Sequence, residues 1–303
     1  MKAEKTSFMK SGALSILQFV TDNVNTFKYI SLAKALRKNY IEVKEIDQSG
    51  RVNNLSLVNK SKKFIFISDG DILTGAKQNR VMNTSVLVYP ESTLNVPVSC
   101  VERGRWRYSQ REFSDSEFSA PVKMRGSKAK DIKQNLKINN RYFADQSKVW
   151  SEVNEYERVY SCNSDTSNLS DIFYEKRQDI ESLIKEFKPD KNSNGLAIFV
   201  YNKLVNLEIY NRKKIYIEYF AKLLKSAAFD LVFTKRCENK ITESEAHFKT
   251  NDFMNKHNDI KFDIHKGVGA GTEKRFETQD FTGFELDYEN IMIHIAALSL
   301  MKE

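Results

Sequence analysis

Between residues 40 and 101 the chain carries five strand-forming runs, at 40–46, 54–59, 63–68, 83–89 and 94–101. Short turn signals separate them, among them DQSG at 47–50 and PEST at 90–93. No other feature narrows the fold as much. The runs are rich in β-branched and aromatic residues, and FIFI at 64–67 has no polar position to offer water. Strands this closely spaced connect through hairpins, which predicts antiparallel pairing in a sandwich-like or barrel-like sheet. Pro97 cannot donate to a ladder and is expected at an edge or a bulge. ALSILQFV at 13–20 reads as an opening strand, and 30–37 as a short helix capped by Ser31.

The second half reads differently. Leu169, Ile172, Phe173, Ile180, Leu183, Ile184 and Phe187 recur at helical spacing, and Pro189 ends the pattern. A hairpin follows, 196–201 and 204–210, turning at Asn202 and Lys203. A helix is expected over 213–233 with Ile217, Phe220, Leu223, Leu224 and Ala227 inward, and another over 242–256. Strands return at 262–265, 274–278, 283–287 and 291–295. The predicted class is α+β. An N-terminal antiparallel β-sandwich-like module (1–110) precedes an α+β module of mixed sheet and helices (161–303). Residues 111–160 read as an irregular connector, polar and poor in periodic apolar positions, until a helix begins near 147.

At 303 residues and 41% hydrophobic the chain has material for a core of this size. The net charge of +8 favours anionic partners, although a Lys-rich solvated surface is the plainer reading. Three cysteines, Cys100, Cys162 and Cys237, are an odd number at wide spacing with no CxxC, which fits a reducing compartment and no zinc site. With no long apolar run and no leader-like start, a soluble cytoplasmic protein is expected, with no membrane partner.

Chemistry concentrates in residues 69–106, where polar groups of every kind interrupt core-forming strands. Gly75 lets backbone approach a ligand, Lys77 and Arg80 suit phosphate or carboxylate, and Gln78, Asn79 and Asn83 suit a base, ribose or amide. No Walker loop or GxGxxG supports this, and a strand turn with a structural Arg is the plain alternative. Cys100 and Glu102 share a strand face, so a thiol and a carboxylate are candidate catalytic groups. A small buried Cys and a Glu paired with Arg105 are the plainer reading. Asp69 and Asp71 offer alternate carboxylates for Mg²⁺ or Ca²⁺, but Leu73, Gly75 and Lys77 do not continue an EF-hand loop. Caps of a turn are the plainer reading, and Asp69 is kept as a ligand-binding candidate. Trp106 beside Arg105, and Trp150 after Asp145 and Gln146, are candidate stacking rings or core aromatics. Asp145 joins Cys100 and Glu102 as a catalytic candidate; Asp69, Arg105, Trp106, Gln146 and Trp150 join the ligand-binding set. No metal site is expected, and the cofactor is left open.

These pieces together resemble the ARG and Rhodanese-Phosphatase-superfamily-associated Protein domain family. The segments are DGDILTGAKQNR (69–80), the NTSVLVYP strand (83–90), PVSCVERGRW (97–106) and DQSKVW (145–150). GLAIFVYNKLVNLEIY, KLLKSAAFDLV and GFELDYENIMIHIAAL carry the likeness to the C-terminus. The family pattern has two acids after the first Gly, whereas this chain has Asp71 and Ile72, which weakens a two-carboxylate role there. By the association in the family's name, the resemblance implies ADP-ribose and NAD metabolism and no particular reaction. The expectation is a protein that binds, and in one version processes, a phosphorylated nucleotide-like ligand. The alternative is a non-enzymatic interaction or oligomerisation module whose polar block is structural. Nucleic-acid binding through the basic surface ranks below both.

Overall fold

The computed structural model describes residues 1–46, 53–108, 110, 112–235 and 237–300. The turn expected at 47–50 lies outside them. In chain order the elements are β1 Ala3–Ser11, β2 Leu14–Thr21, β3 Tyr29–Ser31, α1 Leu32–Arg37, β4 Ile41–Glu45, β5 Asn54–Asn59, β6 Phe64–Ile67, β7 Asp71–Gly75, β8 Arg80–Met82, β9 Val86–Val88, β10 Ser92–Cys100 and β11 Phe113–Ser119. Then come α2 Val122–Asn139, α3 Gln146–Tyr160, α4 Leu169–Glu175, α5 Arg177–Ile184, β12 Gly195–Val200, β13 Lys203–Tyr210, α6 Lys213–Phe229, α7 Glu243–Asn258, β14 Asp263–Lys266, β15 Thr272–Glu277, β16 Phe281–Tyr288 and β17 Ile291–Ser299. The class is α+β.

An eight-stranded sheet runs β1-β2-β12-β13-β17-β16-β15-β14. A six-stranded sheet runs β11-β7-β8-β10-β5-β4, and a three-stranded sheet β3-β6-β9. The large sheet is antiparallel throughout, and the parallel pairing seen among the described strands is β3 on β6. The first hairpin joins this sheet: Leu17 pairs with Ala197, so β1 and β2 sit with strands from beyond residue 161.

Helix α7 covers one face of the large sheet, with Ala246, Phe253 and Met254 on Leu17, Phe199 and Ile295. The other face meets α6 and the smaller sheets through Phe66, Tyr210, Tyr219 and Ile293. The six- and three-stranded sheets enclose their own core of Leu55, Leu57, Ile65, Met82 and Val98. Burial on both sides explains why these strands are so uniformly apolar.

The irregular connector expected at 111–160 is corrected here. Residues 122–139 form an 18-residue helix, and α3 starts at Gln146. The buried face of α2 carries Arg125, Lys128 and Asp131 among Val122, Met124, Ala129 and Ile132, so apolar periodicity is absent from the sequence. Smaller differences also appear. Lys176 divides the expected long helix into α4 and α5. Ile217 of α6 lies exposed, while Phe220, Leu223, Leu224 and Ala227 are buried. Pro97 sits on a central strand, where β10 passes from β5 to β8. Ser31 caps α1, accepting from Lys34 N at 3.3 Å. Among the described residues no helix is long and apolar enough to cross a membrane.

Candidate functional site

The turn joining β7 to β8 organises the polar block. Gly75 has φ +117° and Ala76 has φ +42°. A Cβ on Gly75 would stand 2.5 Å from the Glu112 carbonyl oxygen, so the position needs glycine. Gly75 N–H donates to Asn79 Oδ1 at 2.9 Å, and Asn79 N–H donates to Glu102 Oε2 at 3.0 Å. Asn79 Nδ2 donates to Asn168 Oδ1 at 3.0 Å, tying the turn to α4.

Glu102 is closed on all sides. Arg105 Nε meets its Oε1 at 2.7 Å and Nη2 meets Oε2 at 2.6 Å, the two-pronged geometry that suits a guanidinium. Thr166 Oγ1 adds a bond at 3.0 Å. Arg105 Nη1 donates to Ala76 O at 2.6 Å. This pair holds the 101–108 segment against the turn.

Arg80 is fully buried and Nη1 donates to Gln78 Oε1 at 2.8 Å. Cys100 lies beside them, its Sγ 3.2 Å from Gln78 Oε1 and 3.0 Å from Glu102 O. Burial pushes the Cys100 thiol up, against the pull of Arg80. That is the reverse of what a thiolate nucleophile needs.

The DQSKVW segment attaches from the other side. Asp145 is the N-cap of α3, accepting from Ser147 N at 2.9 Å. Gln146 clamps the Cys100 backbone, accepting from its N–H at 2.8 Å and donating to its C=O at 2.8 Å. Trp150 lies 5.4 Å from the Arg103 guanidinium.

Outside this scaffold two rings reach solvent. Trp106 is 46% exposed and Tyr108 is 53% exposed. The Lys77 ammonium lies 5.3 Å from the first ring and 5.6 Å from the second. Tyr108 also lines a cavity of about 1480 Å³. The edge strands β4 and β11 approach each other there, so the cavity is the open seam of the curled six-stranded sheet. Arg37, Lys60, Glu45 and Asp115 contribute charge to its wall. Burial pushes the Asp115 carboxyl up to about 6 against the Lys222 ammonium.

Asp69 and Asn83 stand apart from this assembly. Asn83 accepts from Ser99 Oγ at 2.8 Å and donates to Tyr142 O at 3.2 Å. Asp69 belongs to a second, wholly buried chain of charge between the sheets. Arg125 Nε meets Asp69 Oδ2 at 3.0 Å, and Arg125 Nη2 meets Glu208 Oε1 at 2.7 Å. His294 Nε2 lies 2.6 Å from Glu208 Oε2, and its Nδ1 lies 2.9 Å from Ser85 Oγ. Burial raises the Glu208 carboxyl, but Arg125 and His294 outweigh it and hold it at about 2. Burial lowers the Lys128 ammonium beside this chain to about 8. Asp71 caps Ser68 N at 2.9 Å and pairs with Lys222 at 2.9 Å. Sequence reasoning missed Arg125, Lys128 and Glu208. The available signal was a charge between apolar neighbours, Glu208 between Leu207 and Ile209.

Ser85, His294 and Glu208 align as a nucleophile–base–orienter set would. All three are buried, which makes them a structural relay of hydrogen bonds in this conformation. Among the described residues no group of three or more His, Cys, Asp or Glu is arranged to hold a metal ion.

Residues 3–298 match the family model described as the ARG and Rhodanese-Phosphatase-superfamily-associated Protein domain. No curated protein and no solved structure matches the chain.

Proposed function

The chain belongs to the ARG and Rhodanese-Phosphatase-superfamily-associated Protein domain family, and in that context we propose that it binds a phosphorylated, nucleotide-like small molecule at the mouth of the β4–β11 cavity. One observation carries the reading. Trp106 and Tyr108 keep about half of their surface in solvent while flanking the Lys77 ammonium beside the cavity. An exposed ring is a stacking surface for a base, and an adjacent cation suits phosphate. Arg37 on the cavity wall supplies a second positive charge.

In this reading Asn79, Cys100, Glu102, Arg105 and Gln146 build the site without touching the ligand. Asn79, Glu102 and Arg105 set the turn and the 101–108 segment, and Gln146 with Cys100 fixes the end of β10. ADP-ribose or NAD as the particular ligand is the finest form of this proposal; the family description itself speaks only of association with the rhodanese-phosphatase superfamily.

A second reading has its own support. Arg80 is fully buried and Arg105 is closed on Glu102, so the block also suits a structural lock in an interaction module.

Trp106 fluorescence in a Trp150→Phe background separates the two. AMP, ADP-ribose and NAD are expected to quench it saturably, and Trp106→Ala and Tyr108→Ala to abolish the binding heat with little change in melting temperature. Absence of any quench or heat for all three would leave the structural lock as the standing reading.

A further inference from the structure

Arg80 and Glu45 form an ion pair that does not close. Arg80 comes from β8 and Glu45 from the end of β4, and their side chains are 0% and 4% exposed. Arg80 Nη2 lies 3.6 Å from Glu45 Oε1, beyond a hydrogen bond. Nε and Nη2 of Arg80 meet no hydrogen-bond acceptor among the described residues, and both Glu45 oxygens meet no donor. Buried charges are ordinarily paired and hydrogen-bonded, with guanidinium–carboxylate contacts near roughly 2.8 Å.

The orientation matters. Nη1 is already committed to Gln78, which leaves Nε and Nη2, the edge that grips two oxygens of one anion. The guanidinium lies 5.8 Å from the Trp106 ring. Glu45 lines the cavity, so it stands between that edge and the open seam.

We propose that Glu45 is a built-in competitor for the Arg80 edge: a phosphoryl group entering the cavity displaces the Glu45 carboxylate and takes two hydrogen bonds from Arg80 Nε and Nη2. The proposal rests on the cavity being the ligand site. It adds a phosphate subsite deeper than Lys77 and a gate that weakens binding until the carboxylate moves. Charge repulsion between Glu45 and the incoming phosphate sets the threshold, and a base reaching back toward Trp106 supplies the stacking.

The test is calorimetric titration of wild type and Glu45→Gln with inorganic phosphate, AMP, adenosine and acetate, with melting temperature as a fold control. Glu45→Gln keeps the shape and removes the competing charge. AMP and phosphate are expected to bind roughly tenfold tighter or more, the worth of one charge-assisted contact, with adenosine unchanged. A gain for acetate without one for phosphate would overturn the phosphoryl assignment. An equal gain for adenosine would overturn the gate. Unchanged AMP affinity in a variant whose Trp106 is still quenched would sink the gate and leave the cavity reading standing. No binding of any nucleotide by either protein would remove both. If Glu45→Gln does not fold, Glu45→Asp, which draws the carboxylate back, is expected to give a smaller gain in the same direction, and no gain overturns the gate.

Discussion

Gln146 replaces a strand partner for Cys100: its amide meets both the N–H and the C=O of that residue, each at 2.8 Å. The first residue of α3 thus completes the hydrogen bonding of the last residue of β10.

Gln146→Ala is therefore expected to leave two buried backbone groups without partners, at a cost of about 1–3 kcal/mol for each group left unsatisfied. Urea unfolding checks this. Gln146→Glu, which keeps one acceptor and loses the donor, should fall between wild type and Ala. A stability equal to wild type for Gln146→Ala would show that the clamp is dispensable.

Arg125 links Asp69 and Glu208 from a site with no exposure. Arg125→Met should cost about 3–5 kcal/mol, because it takes the shared guanidinium away from two buried carboxylates. The surface pair Lys256–Asp252 is the control, where Lys256→Ala should cost less than about 1 kcal/mol. Comparable losses in the two variants would contradict the assignment of the buried chain as a structural anchor.

Asp230 gives a pH signature. Burial pushes its carboxyl up to about 7, although the Tyr156 hydroxyl at 2.5 Å and the Lys123 N–H at 2.8 Å oppose the shift. A carboxyl raised in the folded state binds more protons folded than unfolded between about pH 4 and 7. Its contribution to stability is thus largest below the ordinary carboxylate range and is lost as pH rises to 7, up to about 4 kcal/mol. Asp230→Asn should flatten that part of the stability–pH curve relative to wild type. Glu152, raised to about 7 by burial, acts in the same window and keeps a residual slope. An unchanged slope in the variant would show that Asp230 ionises freely.

Gly75→Ala tests the turn itself. With φ at +117° and a backbone oxygen 2.5 Å from the new Cβ, it should cost roughly 1–3 kcal/mol or more. It should also shift the exposed Trp106 emission, because Arg105 holds that segment through Gly75 O and Ala76 O. Thermal unfolding followed by tryptophan fluorescence reads both; a wild-type melting point with wild-type emission would dismiss the turn as the organiser.

Much of the secondary structure was determined locally. The hairpin of β12 and β13, helix α6 and the four C-terminal strands follow from side-chain period and turn residues, which depend on near neighbours only. The same holds for Ser31 and for Asp145 at the start of α3, because capping uses groups two or three residues away. The polar block, too, was visible as a block. Tertiary structure decided what each member does. Whether Glu102 meets a ligand or Arg105, and whether Arg80 faces solvent or lies at 0% exposure, depends on strands paired across the fold. Helix α2 was invisible because its buried face is charged, and the partners that make this tolerable, Asp69 and Glu208, lie 56 and 83 residues away. Likewise β2 entered the C-terminal sheet because its buried apolar run paired with β12, carrying β1 on its outer edge, a choice that chain order does not encode. Period and capping are short-range chemistry and can be read from sequence; desolvation and charge pairing are properties of the assembled interior.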